Sequence, residues 1–591
     1  MQAETKKPHG SAQAVEGTPV AGAAGASAMR WGSDAVAHVL GELGFPYIAL
    51  NPGASYRGFH DSLVNFLGNR APRMLLCLHE EHAVAIAHGY AKVTEEPMAV
   101  ALHSNVGLMH GAMAIYNAWC DRVPMMILGA TGPVDAARRR PWIDWIHTSR
   151  DQAALIRHYV KWDDQPGSVQ AALESVARAN MLARTAPFGP VYVCLDVGLQ
   201  EDRLPAPPVL PDLARHVAPA PPRADPDAVR AAAELLSKAG RPVVLTGRVS
   251  RDEADWSRRV RLVERLGARV ITDLRLAAAF PTDHPAHAGM AWVTFSEPMR
   301  ALLRDADVVL SLDSVDLDGL LKQAYDGEAV RAKVIHASLD HTLINGWSME
   351  HQGLAPVDVG LPTTSDGAVA ALLEELGEGP NQAPKGPGPA SERLEPHPDG
   401  RLELDRLALA IGEAVGERKT TFIRYPLGWP AAGCRHREPL DFLGMDGGAG
   451  VGSGPGIAVG AALALRGMGR LPIAILGDGD CLMGFSALWS AAHFRLPLLV
   501  VVANNRSFFN DEVHQHRMAR ERGRPPENRG IGVRLDDPPA DFPAMARAMG
   551  WAAGESVQDA AQLPAALAEA IRAVEAGACY LLDVRVQPRT L

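Results

Sequence analysis

The sequence predicts an α/β protein made of three doubly wound parallel-sheet domains. Three observations carry this reading: the length, two breaks in composition, and short apolar runs that alternate with helical patterns. At 591 residues the chain has room for roughly three or four ordinary domains. Residues 204–227 (LPAPPVLPDLARHVAPAPPRADPD) are Pro/Ala-rich and residues 377–400 (GEGPNQAPKGPGPASERLEPHPDG) are Pro/Gly-rich, so both read as linkers. They leave segments 29–203, 228–376 and 401–591, each of ordinary domain size.

Each segment is then read for strands. The first offers YIALN, MLLCL, MAVALH, MMILGA and VYVCLDV; the second PVVLTG, RVITDL, VVLSLDS and KVIHASLD; the third TTFIRY, PIAILGD, LLVVVANN and YLLDVRV. Continuous apolar runs separated by helical stretches predict parallel strands covered on both faces. Ligands of such sheets bind beyond the carboxyl ends of the strands. Asn51, Glu80, His103, Asp478 and Asn505 stand at those ends.

Composition limits the function classes. A hydrophobic fraction of 47% with 21% charged residues suits globular domains that bury a core. The net charge of -10 and the lack of a dense basic block argue against nucleic-acid or anionic-membrane partners. The six cysteines include no C-x-x-C pair, which argues against zinc and disulfide frameworks and favours a reducing cytoplasm. Apolar strings such as 496–503 are too short to span a bilayer. Residues 1–28 are rich in small residues without an apolar signal core, and read as a disordered tail.

The strongest chemical signal is in the third segment. LPIAIL runs into Gly477-Asp478-Gly479, and after 24 residues LLVVVA runs into Asn504-Asn505. The stretch GFSALWSAAHF between them reads as an amphipathic helix. A right-handed strand–helix–strand unit therefore brings Asp478 and Asn505 to one sheet edge. A carboxylate and an amide oxygen are hard ligands suited to Mg²⁺, which keeps open positions for phosphate and water. A lone Gly-Asp-Gly would be an ordinary turn; the paired strand ends at this spacing favour the metal.

The motif resembles that of the thiamine diphosphate (ThDP) enzyme superfamily, which opens on Gly-Asp-Gly and closes on Asn-Asn. The resemblance implies that Asp478, Asn505 and the main-chain carbonyl of Ser507 hold Mg²⁺ and, through it, the diphosphate. It also implies that Gly477, Gly479, Asp480 and Phe508 lie against the cofactor. Asp480 departs from the small residue usual there, and its carboxylate needs a compensating partner or an orientation away from the phosphates. Upstream, GMDGGAGVGSGPGIAVGAALAL (444–465) contains no G-x-G-x-x-G and resembles the family's Gly-rich segment. On that resemblance Val451 wedges between the cofactor rings and Ala449 offers a carbonyl to its amino group. The three segments become, in order, the pyrimidine-binding, middle and diphosphate-binding domains of the ThDP-binding fold.

The first segment carries the second half. Glu80 precedes Gly89-Tyr90-Ala91 by nine residues, the spacing of the family's catalytic glutamate, which bonds the aminopyrimidine ring and relays its proton. Taken alone, a first-turn Glu would merely favour the helix dipole; the motif around Glu80 favours the catalytic role. His103 follows Glu80 by 23 residues, as a histidine does in benzoylformate decarboxylase, and suits proton shuttling near neutral pH. Asn51-Pro52-Gly53 matches the family's turn near the cofactor, but Ala54 precedes Ser55 where that enzyme has Ser at once. No second active-site histidine is found in the middle domain.

Phe508 to Gln515 reads equally as channel lining or as a capped helix start, and the basic stretch 517–529 as a cover or a solvated loop. Ser311-Leu-Asp-Ser-Val315 replaces an Arg-containing segment associated with FAD in acetolactate synthases, so FAD is not expected, and nucleotide binding by the middle domain stays open. The expected activity is non-oxidative decarboxylation of a 2-oxo acid. The alternatives are an acetolactate-synthase-like or benzaldehyde-lyase-like carboligase, and a non-catalytic ThDP-fold binding protein. The expected partners are a small 2-oxo acid or aldehyde and further copies of the chain, as a homodimer or homotetramer with the site between subunits.

Overall fold

The computed structural model describes residues 29–345, 353–386, 394, 396–397 and 399–588. The expected tail at 1–28 lies outside the described residues, as does part of the 377–400 linker. Three separate parallel sheets are present.

The first sheet holds β1 (Tyr47–Leu50), β2 (Arg73–Leu76), β3 (Met98–Leu102), β4 (Met125–Thr131), β5 (Trp162–Asp164) and β6 (Pro190–Asp196), in the order β2-β1-β3-β4-β6-β5. The second holds β7 (Pro242–Thr246), β8 (Arg269–Asp273), β9 (His287–Ala291), β10 (Val308–Leu312), β11 (Lys333–Ala337) and β12 (Val359–Leu361), in the order β12-β11-β10-β7-β8-β9. The third holds β13 (Thr420–Arg424), β14 (Leu471–Gly477), β15 (Leu498–Asn504), β16 (Ala552–Ala553) and β17 (Cys579–Arg585), in the order β13-β14-β15-β17-β16. Neighbouring strands pair in parallel throughout, as continuous apolar runs require. The strands absent from the sequence reading are β5, β9, β12 and β16. Three are only two or three residues long and the fourth, β9, is broken by His287 and Gly289, so no long apolar run marks them.

The first and third sheets join through two helices, Glu80–Thr94 and Gly454–Leu465. Their contact depends on absent side chains. A Cβ on Gly89 would overlap the carbonyl of Ile457, one on Gly460 the carbonyl of Ile86, and one on Gly456 would stand 2.6 Å from Ala85 Cβ. The backbones therefore approach at a distance that only glycine permits. Around this crossing one core runs without interruption from Val84 and Ile86 to Ile457, Leu476 and Val500. Among the described residues no helix is long and apolar enough to cross a membrane.

Candidate active site

Beyond β14 and β15 the chain forms a small oxygen cluster. Gly477 pairs with Ala503, so the next residues of the two strands emerge side by side. The Ser507 backbone N–H donates to Asp478 Oδ2 at 3.1 Å and to Asn505 Oδ1 at 2.9 Å, which draws both oxygens to one point. Asp478 Oδ1 accepts the Gly479 N–H at 2.8 Å. Burial raises the Asp478 pKa to about 6 despite the backbone donors around it. A buried carboxylate converging with an amide oxygen is a donor set that fits a hard divalent cation. Gly479 lies under the ring of Phe508, where a Cβ would overlap it. The Ser507 hydroxyl turns away and donates to Glu512 Oε1 at 2.7 Å. Glu512 is buried and also lies near Arg529 at 3.4 Å and Arg534 at 3.5 Å. It therefore fastens the helix Phe509–Glu521 and the following basic stretch back onto this loop.

Asp480 occupies its side chain elsewhere. Its Oδ1 accepts the Gly452 N–H at 2.7 Å and the Gly454 N–H at 3.3 Å, and its Oδ2 pairs with Arg424 Nε at 3.0 Å. The other side of Arg424 pairs with Asp446 Oδ2 at 2.8 Å. Burial would lower the Arg424 pKa, but Asp446 and Asp480 together hold it above its ordinary value. Asp480, read from sequence as lying against the cofactor, is thus a clamp on the Gly-rich loop. The repulsion its charge raised is answered by Arg424, which sequence reasoning missed. Arg424 ends a β-strand two dozen residues upstream of the Gly-rich loop, and no motif marks it.

The loop so clamped carries Ala449, at φ +56°, and Val451, which is partly exposed. Asn117 Oδ1 accepts the Gly450 N–H at 3.3 Å, and Asn117 Nδ2 donates to Ser453 Oγ at 3.0 Å. The loop therefore packs on the helix Ser104–Cys120.

The second cluster gathers at the ends of β1, β2 and β3, beside the β1/β3 switch in strand order. Glu80 is the first residue of its helix and is 7% exposed. Its Oε2 stands 3.0 Å from His110 Nδ1, and His110 stacks on His79 at 4.7 Å between centroids. His79 caps the helix by accepting the Glu81 N–H at 3.2 Å. Gly107 brings Glu80 and His103 together: a Cβ there would stand 3.1 Å from Glu80 Oε1 and 3.4 Å from His103 Cβ. Asn51 Nδ2 donates to the Cys77 carbonyl at 3.0 Å, Tyr56 OH donates to the Asn51 carbonyl, and Gly53 lies directly against His103. The turn Asn51-Pro52-Gly53 is thereby seated on the site.

His103 Nδ1 accepts the Ser55 N–H at 3.3 Å and lies 2.9 Å from Ser55 Oγ, which itself accepts the Ser104 N–H at 3.0 Å. An amide nitrogen only donates, so Nδ1 bears the lone pair and the ring proton sits on Nε2. Burial lowers the His103 pKa, with a smaller push from His147 and an opposing pull from Glu80. In this orientation the imidazole offers Nε2–H as a hydrogen-bond donor. Ser55, the displaced serine of the turn, orients it.

Sequence reasoning also missed His110, although His103 and His110 are two helical turns apart and so share a face. Among the described residues no hydrogen bond or ion pair joins Glu80 to Asp478 or Asn505. A separate cavity of about 430 Å³ lies between the first and middle domains, where Arg248 pairs with Asp340 at 2.9 Å and Asp313 at 3.3 Å.

Three family profiles match the chain. They are the thiamine pyrophosphate enzyme N-terminal TPP binding domain over residues 30–155, the central domain over 229–353 and the C-terminal TPP binding domain over 427–584. Benzoylformate decarboxylase of Pseudomonas aeruginosa is 26% identical over 446 residues, covering 74% of this chain and 79% of that protein. Acetolactate synthase of Bacillus subtilis is 24% identical over 494 residues, covering 81% and 82%. Among solved structures, benzoylformate decarboxylase from Polynucleobacter necessarius superposes with a TM-score of 0.76 at 19% identity, covering 95% of this chain and all (100%) of that one.

Proposed function

Since the chain belongs to the thiamine pyrophosphate enzyme family, we propose that it catalyses the non-oxidative, Mg²⁺-dependent decarboxylation of a 2-oxo acid, with an aromatic acid of the benzoylformate type favoured. The observation that carries the reading is the pairing of two clusters: convergent oxygens at Asp478 and Asn505, and a carboxyl group with an oriented imidazole at Glu80 and His103. The P. aeruginosa relative bears the same named activity.

Bound ThDP supplies the electron sink for carbon–carbon cleavage beside a carbonyl. Asp478 Oδ, Asn505 Oδ1 and the Ser507 carbonyl would hold Mg²⁺, leaving positions for diphosphate and water. Glu80 would hold a proton at the aminopyrimidine ring nitrogen, with His110 orienting its carboxyl group. His103 presents Nε2–H to the substrate carbonyl oxygen and stabilises the charge that grows there. Ala449 and Val451 support the rings, and Asp480 with Arg424 fixes the loop that carries them.

The acidic and metal-binding clusters would meet across two subunits, in a homodimer or a dimer of dimers. Leu78, Met109 and Met113 near Glu80, and Val451 and Met483 near the Gly-rich loop, expose apolar surface that such a contact would cover. A carboligase reading has its own support in the acetolactate synthase relative. Product analysis separates the two. Benzoylformate or pyruvate, supplied with ThDP and Mg²⁺, should yield CO₂ and aldehyde. Acetolactate as the sole product from pyruvate would reject the decarboxylase.

A further inference from the structure

A decarboxylase must move a whole proton, and His103 is poorly placed to be its source. A second hydrogen on Nδ1 would face the Ser55 amide hydrogen. Loss of the Nε2 hydrogen from the neutral ring would leave an imidazolate, far too basic to form near neutral pH. In this geometry His103 donates a hydrogen bond but keeps its proton.

We propose that His147 is the second acid–base residue of this site and the donor of the proton that ends on the product. Its ring meets that of His103 edge to face, with centroids 4.9 Å apart and planes at 89°. The segment that carries it is fastened on several sides. Asn105 Nδ2, from the helix that His103 begins, donates to the Ile146 carbonyl at 3.1 Å. The Gly132 N–H, just beyond β4, donates to the His147 carbonyl at 3.3 Å. Within the segment, Arg140 pairs with Asp144 at 2.8 Å and Thr148 Oγ1 donates to the Asp144 carbonyl at 2.5 Å. Glu80 acts on the His103 ring from the neighbouring helix, and Arg140 pairs with Asp144 within the segment that carries His147, with Arg57 and Glu201 also acting on that pair. Among the described residues no hydrogen bond engages a His147 ring nitrogen, whereas Ser55 holds Nδ1 of His103.

The step balances without an outside oxidant or reductant. The bond between the carboxylate carbon and the carbonyl carbon breaks, CO₂ leaves, and the electron pair remains with the former carbonyl carbon. His147 in its protonated form gives the proton that bonds there, is left neutral, and recovers a proton from water. His103 meanwhile stays hydrogen-bonded to the oxygen.

The inference rests on the decarboxylase reading, and the test separates them. His147→Gln and His147→Ala are assayed as holoenzymes with ThDP, Mg²⁺ and benzoylformate. The expected loss in kcat is on the order of 10²-fold, with KM and the calorimetric ThDP affinity within about twofold of wild type. Added imidazole should restore part of the His147→Ala rate and none of the His103→Ala rate. A kcat within about threefold of wild type in both variants, or a loss confined to cofactor affinity, overturns the role of His147 alone. Wild-type protein that releases no CO₂ from benzoylformate or pyruvate overturns the decarboxylase reading and this inference with it.

Discussion

Removing Arg424 tests how this chain tolerates an acidic residue directly after its Gly-Asp-Gly motif. The guanidinium lies between Asp446 and Asp480, and all three side chains are buried. Arg424→Met leaves two carboxylates facing each other in a dry site. Breaking a buried pair in this way costs on the order of 3–5 kcal/mol. For a domain of 150–250 residues each kcal/mol shifts Tm by about 2–4 °C, so the transition of the third domain should fall by roughly 10 °C. Asp480→Asn keeps an oxygen for the Gly452 and Gly454 amides and leaves Arg424 its partner Asp446, so it should cost only about 1–2 kcal/mol. The triple variant Arg424→Met/Asp446→Asn/Asp480→Asn removes the charges together and should be more stable than Arg424→Met alone. Differential scanning calorimetry reads all three, and ThDP affinity should follow the same order because the clamp holds Ala449 and Val451. Arg424→Met melting within about 2 °C of wild type, or the triple variant melting below the single, would refute the clamp.

Glu80→Gln should abolish turnover by on the order of 10²-fold or more while the protein still binds Mg²⁺ and ThDP; unchanged kcat would remove its role. Asp478→Asn should weaken Mg²⁺-dependent ThDP binding at least about tenfold by calorimetry, and chelation of the wild type should release the cofactor reversibly. Gly89→Ala should cost at least about 1–3 kcal/mol of stability, since its Cβ meets backbone at Ile457 and no side chain there can move aside. Stability should also fall in acid. Burial lowers the His82 pKa to about 4 and the His436 pKa to about 3, while the unfolded chain binds those protons near pH 6.5. Their contribution is whole above pH 6.5 and is lost as pH falls below it, about 2 kcal/mol each by pH 5. Chemical denaturation of wild type and His82→Gln across that window measures it.

The sheets were legible because each core strand is a continuous apolar run, as in LPIAILG and LLVVVAN. The edge strands β5 and β16 carry too few residues to announce themselves. Asp478 and Asn505 were legible because adjacent parallel strands must end together, which turns a sequence interval into a neighbourhood. Glu80 and His103 stood out at strand ends. The residues that orient them, Ser55 and His110, did not, nor did Arg424 behind the Gly-rich loop: they act across loops and between elements, where sequence spacing carries no distance. The neutral state of His103 needed the Ser55 amide to be seen pointing at Nδ1.

The central claim is that a divalent ion at Asp478 and Asn505 anchors a pyrophosphate-bearing cofactor. Isothermal titration of the stripped protein with ThDP, with and without Mg²⁺, tests it most directly. Saturable binding that requires the metal and is lost in Asp478→Asn is the predicted result; no heat of binding in either condition, or binding indifferent to the metal, would contradict it.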